Sequence, residues 1–416
     1  MSNANEAPMR PSRRALFASA GGLVALAGAA GSAGAASAVP AASGFWGERQ
    51  HGIATPQQSH TFFMALDLST KKREDVAGLL RTWTTAAARL TAGMTAEPAA
   101  ATIESPGTDS CEALGLDAAG LTITFGFGSG LFTKDGEDRY GLASQRPEAF
   151  VDLPRFNGDQ LVPAATGGDL SIQACANDPQ VAFHAVRQLA TRAYDVAEVR
   201  WVQSGFLSRP ANRETPRNLM GFKDGTQRPD TIDKVVWVGE EGPAWMRGGS
   251  YLVTRRIRMA LEHWDRTNVS FQEQTMGRHK LSGAPLGLKH ENEPLRLDRA
   301  DKDGNPVIAE NAHVRLAHST TNDGAEVLRR GYSYNDGVNF TAERWPPWRQ
   351  GMEYDAGLFF ICYQRDPRTG FIRIFENMAK FDMLNQYVTH VGGGLFACPP
   401  GARQGEFIGQ RLFASA

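Results

Sequence analysis

Asp169-Leu-Ser-Ile-Gln-Ala-Cys175 reads as a strand, Asp178-Pro179 follows it, and Asp195-Val-Ala-Glu-Val-Arg-Trp-Val202 reads as a strand again. Aspartate followed by proline is a good helix start, because the ring presets the first helical φ and lacks only an N–H that would go unused. A helix from Gln180 to about Tyr194 is therefore expected between the strands, with no glycine to mark its end. Upstream, Phe62-Phe-Met-Ala-Leu-Asp-Leu68 is a short buried strand. Val76, Leu79, Leu80, Trp83, Ala87 and Leu90 then recur at the spacing of one helix face. Leu121-Thr-Ile-Thr-Phe-Gly-Phe127 is a further strand. Strand–helix–strand–strand–helix–strand is the order of a ferredoxin-like unit.

The second half reads the same way. Ser250-Tyr-Leu-Val-Thr-Arg-Arg-Ile257 and Gly357-Leu-Phe-Phe-Ile-Cys-Tyr363 are strands, and a helix from Phe371 to about Val388 closes the unit. Two similar α+β units are expected, residues 45–215 and 216–416, although no repeat is visible residue by residue. The polar run Asp298-Arg-Ala-Asp-Lys-Asp-Gly-Asn305 reads as a solvent loop.

At 416 residues the chain is long enough for two or three average domains, or for one large duplicated domain. A formal net charge of −1 gives no electrostatic case for nucleic acid or an anionic membrane surface. The four cysteines form no Cys-x-x-Cys pair and no Cys-x-x-Cys-His motif of the kind that attaches haem covalently. Residues 1–38 read as an export signal. Ser12-Arg-Arg-Ala-Leu-Phe17 is basic, Leu23 to about Ala36 is apolar, and Ala36-Ser-Ala38 is a small-x-small cleavage site. The paired arginines and modest hydrophobicity favour the twin-arginine route, hence a periplasmic or extracellular protein that folds before export. Cysteine usage then says little about disulfides.

The connection between the units carries Asn218-Leu-Met-Gly-Phe-Lys-Asp-Gly-Thr-Gln-Arg-Pro229. Asp224 between two glycines is either an ordinary Asp-Gly turn or an acid/base carboxylate presented to a flat ligand. Among nine histidines, His313 is a candidate axial ligand for haem iron. His318, five residues on, is an alternative ligand, and the two together would be a weak zinc signal. Asp382 falls on the apolar face of the last helix with Phe371, Phe375 and Met378, where an unpaired carboxylate is expensive. The N–H of a ligating histidine would satisfy it. Of Arg329 and Arg330, adjacent on a strand, one must face inward and could stabilise developing negative charge.

These residues resemble the dye-decolorizing peroxidases, in the exported branch similar to bacterial deferrochelatase/peroxidase. The likeness runs from Gly47-Glu-Arg-Gln-His-Gly-Ile-Ala-Thr-Pro56 to Pro399-Pro-Gly401. It is carried most specifically by Asn218–Thr226, Gly277-Arg-His-Lys-Leu-Ser-Gly-Ala-Pro285, His313-Val-Arg-Leu-Ala317 and Leu328-Arg-Arg-Gly-Tyr332. The resemblance implies a dimeric α+β barrel of two ferredoxin-like halves binding haem b. It implies Asp224 as distal acid/base, Arg329 as distal arginine, His313 as iron ligand and Asp382 as its partner. Gly225, Thr226 and Gln227 would border the haem, and His279, His318, Ser319 and Thr320 would meet its edge or propionates. Hydrogen peroxide and small-molecule electron donors would be its partners, with Tyr332, Trp345, Trp348 and Tyr387 as candidate surface relays. Iron-uptake or redox proteins and a second copy of the chain are further partners to consider. A carboxylate base would keep working at acidic pH, where a histidine base is protonated. The alternative is a haem-handling protein that releases iron and leaves the porphyrin whole. Two positions depart from the family pattern: His51 replaces a small residue, and Gly331 stands where some branches carry an asparagine.

Overall fold

The computed structural model describes residues 44–100, 107–210, 212, 214–226, 228–229, 231–342 and 350–414. The export signal, Gln227, Trp345 and Trp348 lie outside them. Among the described residues no helix is long and apolar enough to cross a membrane.

The first half has the expected order: β1 (His60–Leu68), α1 (Arg73–Thr91), β2 (Thr122–Phe127), β3 (Leu170–Ala176), α2 (Pro179–Thr191) and β4 (Ala197–Phe206). Asp178 caps α2 by accepting from the Gln180 and Val181 amides at 2.7 and 3.2 Å, with Pro179 in the first turn. All six predicted face residues of α1 are buried. Trp83 stacks on Phe125 of β2 at 5.5 Å and donates through Nε1 to the Leu189 carbonyl of α2 at 2.8 Å. That one side chain ties both helices to the sheet.

The second half contains a short α3 (Ile232–Val236), then β5 (Ser250–Met259), β6 (Leu328–Arg329), β7 (Tyr332–Ala342), β8 (Gln350–Gln364) and β9 (Val388–Cys398). Sequence reading missed β7 and β9 and extended the closing helix to Val388. The helix is instead a π-turn (Arg368–Ile372) leading into α7 (Arg373–Phe381), and it stops there because Asp382 adopts an extended backbone (φ −69°, ψ 122°). Asp382 then caps a short 3-10 turn, Met383–Gln386, by accepting from the Leu384 amide at 2.8 Å. Glycines 392–394 disguised β9, since strands rarely carry such a run.

Strands pair in the order β5-β9-β2-β3-β1-β4-β7-β8, and β8 returns to β5, so the sheet closes as an antiparallel barrel with β6 attached to β8. Both halves, β4-β1-β3-β2 and β9-β5-β8-β7, have the ferredoxin-like order fourth–first–third–second. The joins between halves are narrow: Phe127 pairs with Ala397, and Phe206 with Ser333. The halves differ in their crossovers. Between β5 and β7 the second half inserts some 70 residues. These include α4 (Leu261–Trp264), α5 (Val269–Met276) and the short α6 (His313–Leu316). Residues 298–305, the predicted polar loop, are exposed.

Candidate active site

His313 opens α6, and Asp382 ends α7, so the pair joins the two crossovers of the second half. Its Nδ1 lies 2.7 Å from Asp382 Oδ2. The Asp382 side chain is only 2% exposed, against 25% for His313. With Nδ1–H donating to the carboxylate, Nε2 is the nitrogen left to ligate. Burial opposes a charge on His313, but the Asp382 carboxylate outweighs it and raises the histidine above its ordinary value. The buried acid predicted at position 382 is thus present, placed by a helix stop rather than by a helix face.

Asp224 and Arg329 form a second pair. Arg329 Nη1 donates to Asp224 Oδ1 at 3.1 Å. Arg329 is on β6, held opposite Cys362 of β8. Its neighbour Arg330 points the other way, 3% exposed, and donates to the carbonyls of Thr55 and Pro56 and to Gln58. Strand alternation therefore sends one guanidinium to the site and the other into packing. Asp224 sits in a loop built by Asn218, whose Oδ1 accepts from the Met220 and Phe222 amides at 3.1 and 3.2 Å. Gly225 has φ +104°, and a β-carbon there would meet nothing within 4 Å. The Asp224 loop thus faces open space, and Asp224 and Arg329 both act electrostatically on His313.

The donor set suits an iron macrocycle, because a buried carboxylate holds His313 through Nδ1 and leaves Nε2 to ligate. No residue of α6 or of the following turn Ser319–Thr321 is buried, whereas Ala312 and Asn322 at the two ends are fully buried. The segment is therefore accessible between two buried anchors, and His313 Nε2 is the imidazole nitrogen not engaged by Asp382.

The remaining predicted residues have local partners of their own. His318 caps the turn, its Nδ1 accepting from the Thr320 amide at 3.3 Å, and burial lowers its pKa. His279 follows α5, with Nδ1 2.9 Å from Glu273 Oε2. Thr226 Oγ1 donates to Glu291 at 3.0 Å. Tyr332 is corrected as a surface relay: it is 0% exposed, because its strand position faces the interior. Tyr387 is half-buried and packs edge-on against Trp264 at 4.9 Å. Sequence reading missed Lys223 and Glu291, which hold the Asp224 loop. Nothing in Lys289-His-Glu-Asn-Glu293 distinguishes Glu291 from a solvated charge.

The closed barrel of two ferredoxin-like halves, with a His–Asp couple and an Asp–Arg pair in its second half, is the arrangement to set beside known proteins. Residues 50–207 match the family model described as Dyp-type peroxidase, N-terminal, and residues 215–403 the one described as Dyp-type peroxidase, C-terminal. The chain belongs to the Dyp-type peroxidase family and is a haem enzyme. It is 40% identical over 385 residues to a dye-decolorizing peroxidase of Thermobifida fusca, covering 87% of this chain and 83% of that protein. It is 38% identical over 383 residues to a deferrochelatase of Escherichia coli K12, covering 88% and 86%. The structure matches an X-ray generated oxyferrous complex of DtpA from Streptomyces lividans with a TM-score of 0.79 and 39% identity, covering 88% of this chain and 96% of that one.

Proposed function

We propose that this peroxidase reduces hydrogen peroxide with Asp224 as acid/base and Arg329 as charge stabiliser, and oxidises dyes, phenolics or other one-electron donors. The observation that carries this reading is the Asp224–Arg329 pair, 3.1 Å apart and near enough to His313 for both charges to act on it. Haem, when bound, supplies the redox-active iron. His313 Nε2 would hold it, with Asp382 keeping the proton on Nδ1. Gly225, Thr226, Gln227, His279, His318, Ser319 and Thr320 would border its edge and propionates.

Peroxide reduction takes two electrons and two protons to give two waters. Asp224 accepts the proton from one peroxide oxygen and returns it to the other, so that the departing oxygen leaves as water. The Arg329 guanidinium stays charged and offers N–H donors to the oxygen on which negative charge builds. Its bond to Asp224 orients both groups before peroxide arrives. Residues 45–215 and 216–416 form the two halves in this reading. Residues 1–38 direct export by the twin-arginine route to the periplasm or beyond.

The test is stopped-flow absorbance of haem-loaded wild type and Asp224→Ala mixed with one equivalent of peroxide. A fast spectral change in wild type, slowed by roughly 10²-fold or more in the variant, is expected. Equal rates refute the assignment of Asp224. The 38% identity to a deferrochelatase supports a second reading, iron release with the porphyrin intact. An inert ferric spectrum in both proteins, with iron-free porphyrin accumulating under reducing conditions, would favour it.

A further inference from the structure

The two residues flanking Asp224 and Gly225 are tied to a single carboxylate. Glu291 Oε2 accepts from Lys223 Nζ at 2.7 Å, and its Oε1 accepts from Thr226 Oγ1 at 3.0 Å. The Glu291 carbonyl accepts from Arg278 Nη1 at 3.1 Å, and the same nitrogen donates to the Gly283 carbonyl at 2.7 Å. The Lys223 and Glu291 side chains are 10% and 15% exposed, so the pair is largely shielded from solvent. Such charge-assisted bonds fix geometry better than surface ion pairs do. The bonds from Lys223, Thr215 and Thr226 overcome the effect of burial and keep Glu291 below the ordinary carboxylate range.

The Lys223 stem runs across bare backbone: a β-carbon on Gly283 would lie 2.8 Å from Lys223 Cδ. On the other edge of the loop, Arg217 donates to the carbonyls of Lys280 and Leu281 at 2.6 and 2.7 Å. The motif Gly277–Pro285 is therefore a bed for the Asp224 loop, and Glu291 is the clasp over it. Asp224 itself contributes one backbone bond, to the Pro216 carbonyl at 2.8 Å, and its side-chain bond to Arg329.

We propose that Glu291 is a positioning residue for the acid/base loop. By gathering Lys223 and Thr226 on one carboxylate, it sets where Asp224 stands and keeps the Lys223 ammonium turned away from it. This rests on the reading of Asp224 as the acid/base group. Without Glu291, the Lys223 ammonium keeps only the longer, more exposed contact to Glu214 at 3.7 Å, so it can turn to Asp224 in competition with Arg329, and the loop loses its outer tether. A displacement near 1 Å in such a group costs a rate of about 10²-fold.

The experiment compares haem-loaded wild type, Glu291→Ala, Glu291→Gln and Asp224→Asn. Stopped flow gives the second-order constant with peroxide and, separately, the constant for oxidation of a small phenolic donor. Glu291→Ala should lower the peroxide constant by roughly 10²-fold and leave the donor constant within about twofold. Glu291→Gln keeps the acceptor for Thr226 and should recover to within roughly tenfold of wild type. Independently of turnover, amide exchange over residues 217–226 should be roughly tenfold faster in Glu291→Ala, with α1 unchanged. Unchanged peroxide constant and exchange in Glu291→Ala, beside a disabled Asp224→Asn, overturn the role of Glu291 alone. A parallel fall of both constants with general loss of exchange protection overturns it too, because that is merely structural damage. A fully active Asp224→Asn removes the acid/base reading, and the positioning role with it.

Discussion

Replacing Asp382 tests the proximal half of the site, and asparagine and alanine separate its two duties. Asp382 accepts from His313 through Oδ2 at 2.7 Å and from the Leu384 amide through Oδ1 at 2.8 Å. Asparagine retains an acceptor for the amide and removes the negative charge behind the imidazole. Alanine removes both. A hydrogen bond to a charged group contributes about 1.5–3 kcal/mol, and loss of a carboxylate behind a ligating histidine costs about 10–100-fold in metal affinity. The Asp382 side chain is 2% exposed, so water cannot readily take its place and the effect should approach the upper figure. A less basic imidazole supports ferric iron less than ferrous iron. Each tenfold of that preference moves a one-electron potential by about 59 mV, so Asp382→Asn should raise the midpoint by about 60–120 mV. Transfer of haem to an excess of a scavenging apoprotein should be faster by a similar 10–100-fold. Asp382→Ala should add a loss of about 1 kcal/mol in folding stability for the missing cap. Potentiometric titration and haem-transfer kinetics are the assays. An Asp382→Asn protein with a midpoint within about 15 mV of wild type and unchanged haem retention refutes the coupling of Asp382 to the iron ligand.

Other substitutions probe the rest of the molecule. Arg329→Leu should lower the peroxide constant by roughly 10²-fold, since a charge-stabilising donor is lost, while the Soret absorbance per chain stays near wild type; an unaffected constant contradicts its role. Gly277 ends α5 at φ +80°, where a β-carbon would lie 2.5 Å from Val314 Cγ2, next to the iron ligand. Gly277→Ala should therefore destabilise the fold by about 1–3 kcal/mol and weaken haem retention, as read by thermal melts and haem transfer. His390 is held down to about 3 by burial and then by Arg255, so it stays neutral in the fold while the unfolded chain takes up a proton below 6.5. Stability must then fall as pH drops from 6.5 towards 3, by about 2 kcal/mol at pH 5. His390→Gln should flatten that part of a chemical-denaturation pH series, and an unchanged slope would show that another group carries it.

Local rules made much of this protein legible in its sequence. The Asp178-Pro179 start, the α1 face from Val76 to Leu90 and the strand at Leu170–Ala176 depend on neighbours three to seven residues away, and they stand as read. Asp224, Arg329, His313 and Asp382 could be named as candidates, because a resemblance carries positions even where it carries no geometry. The closing helix was misread because periodicity does not register a helix stop, and the extended backbone at Asp382 is what swings its carboxylate onto His313. Strand β9, with its three consecutive glycines, is a strand only because β5 supplies its ladder along Ser250–Met259. Tyr332 became interior for the same reason, once barrel closure decided which face of β7 is inside. Glu291 had no sequence signal at all. Its carboxylate lies 65 residues from Thr226 and 68 from Lys223, and it gains meaning only where the chain brings them to 3.0 and 2.7 Å. The sequence alone determined the elements of the first half and named candidate groups for the chemistry. Tertiary structure decided which of those groups face one another, because long-range pairing is set by strand register and crossover packing rather than by local preference.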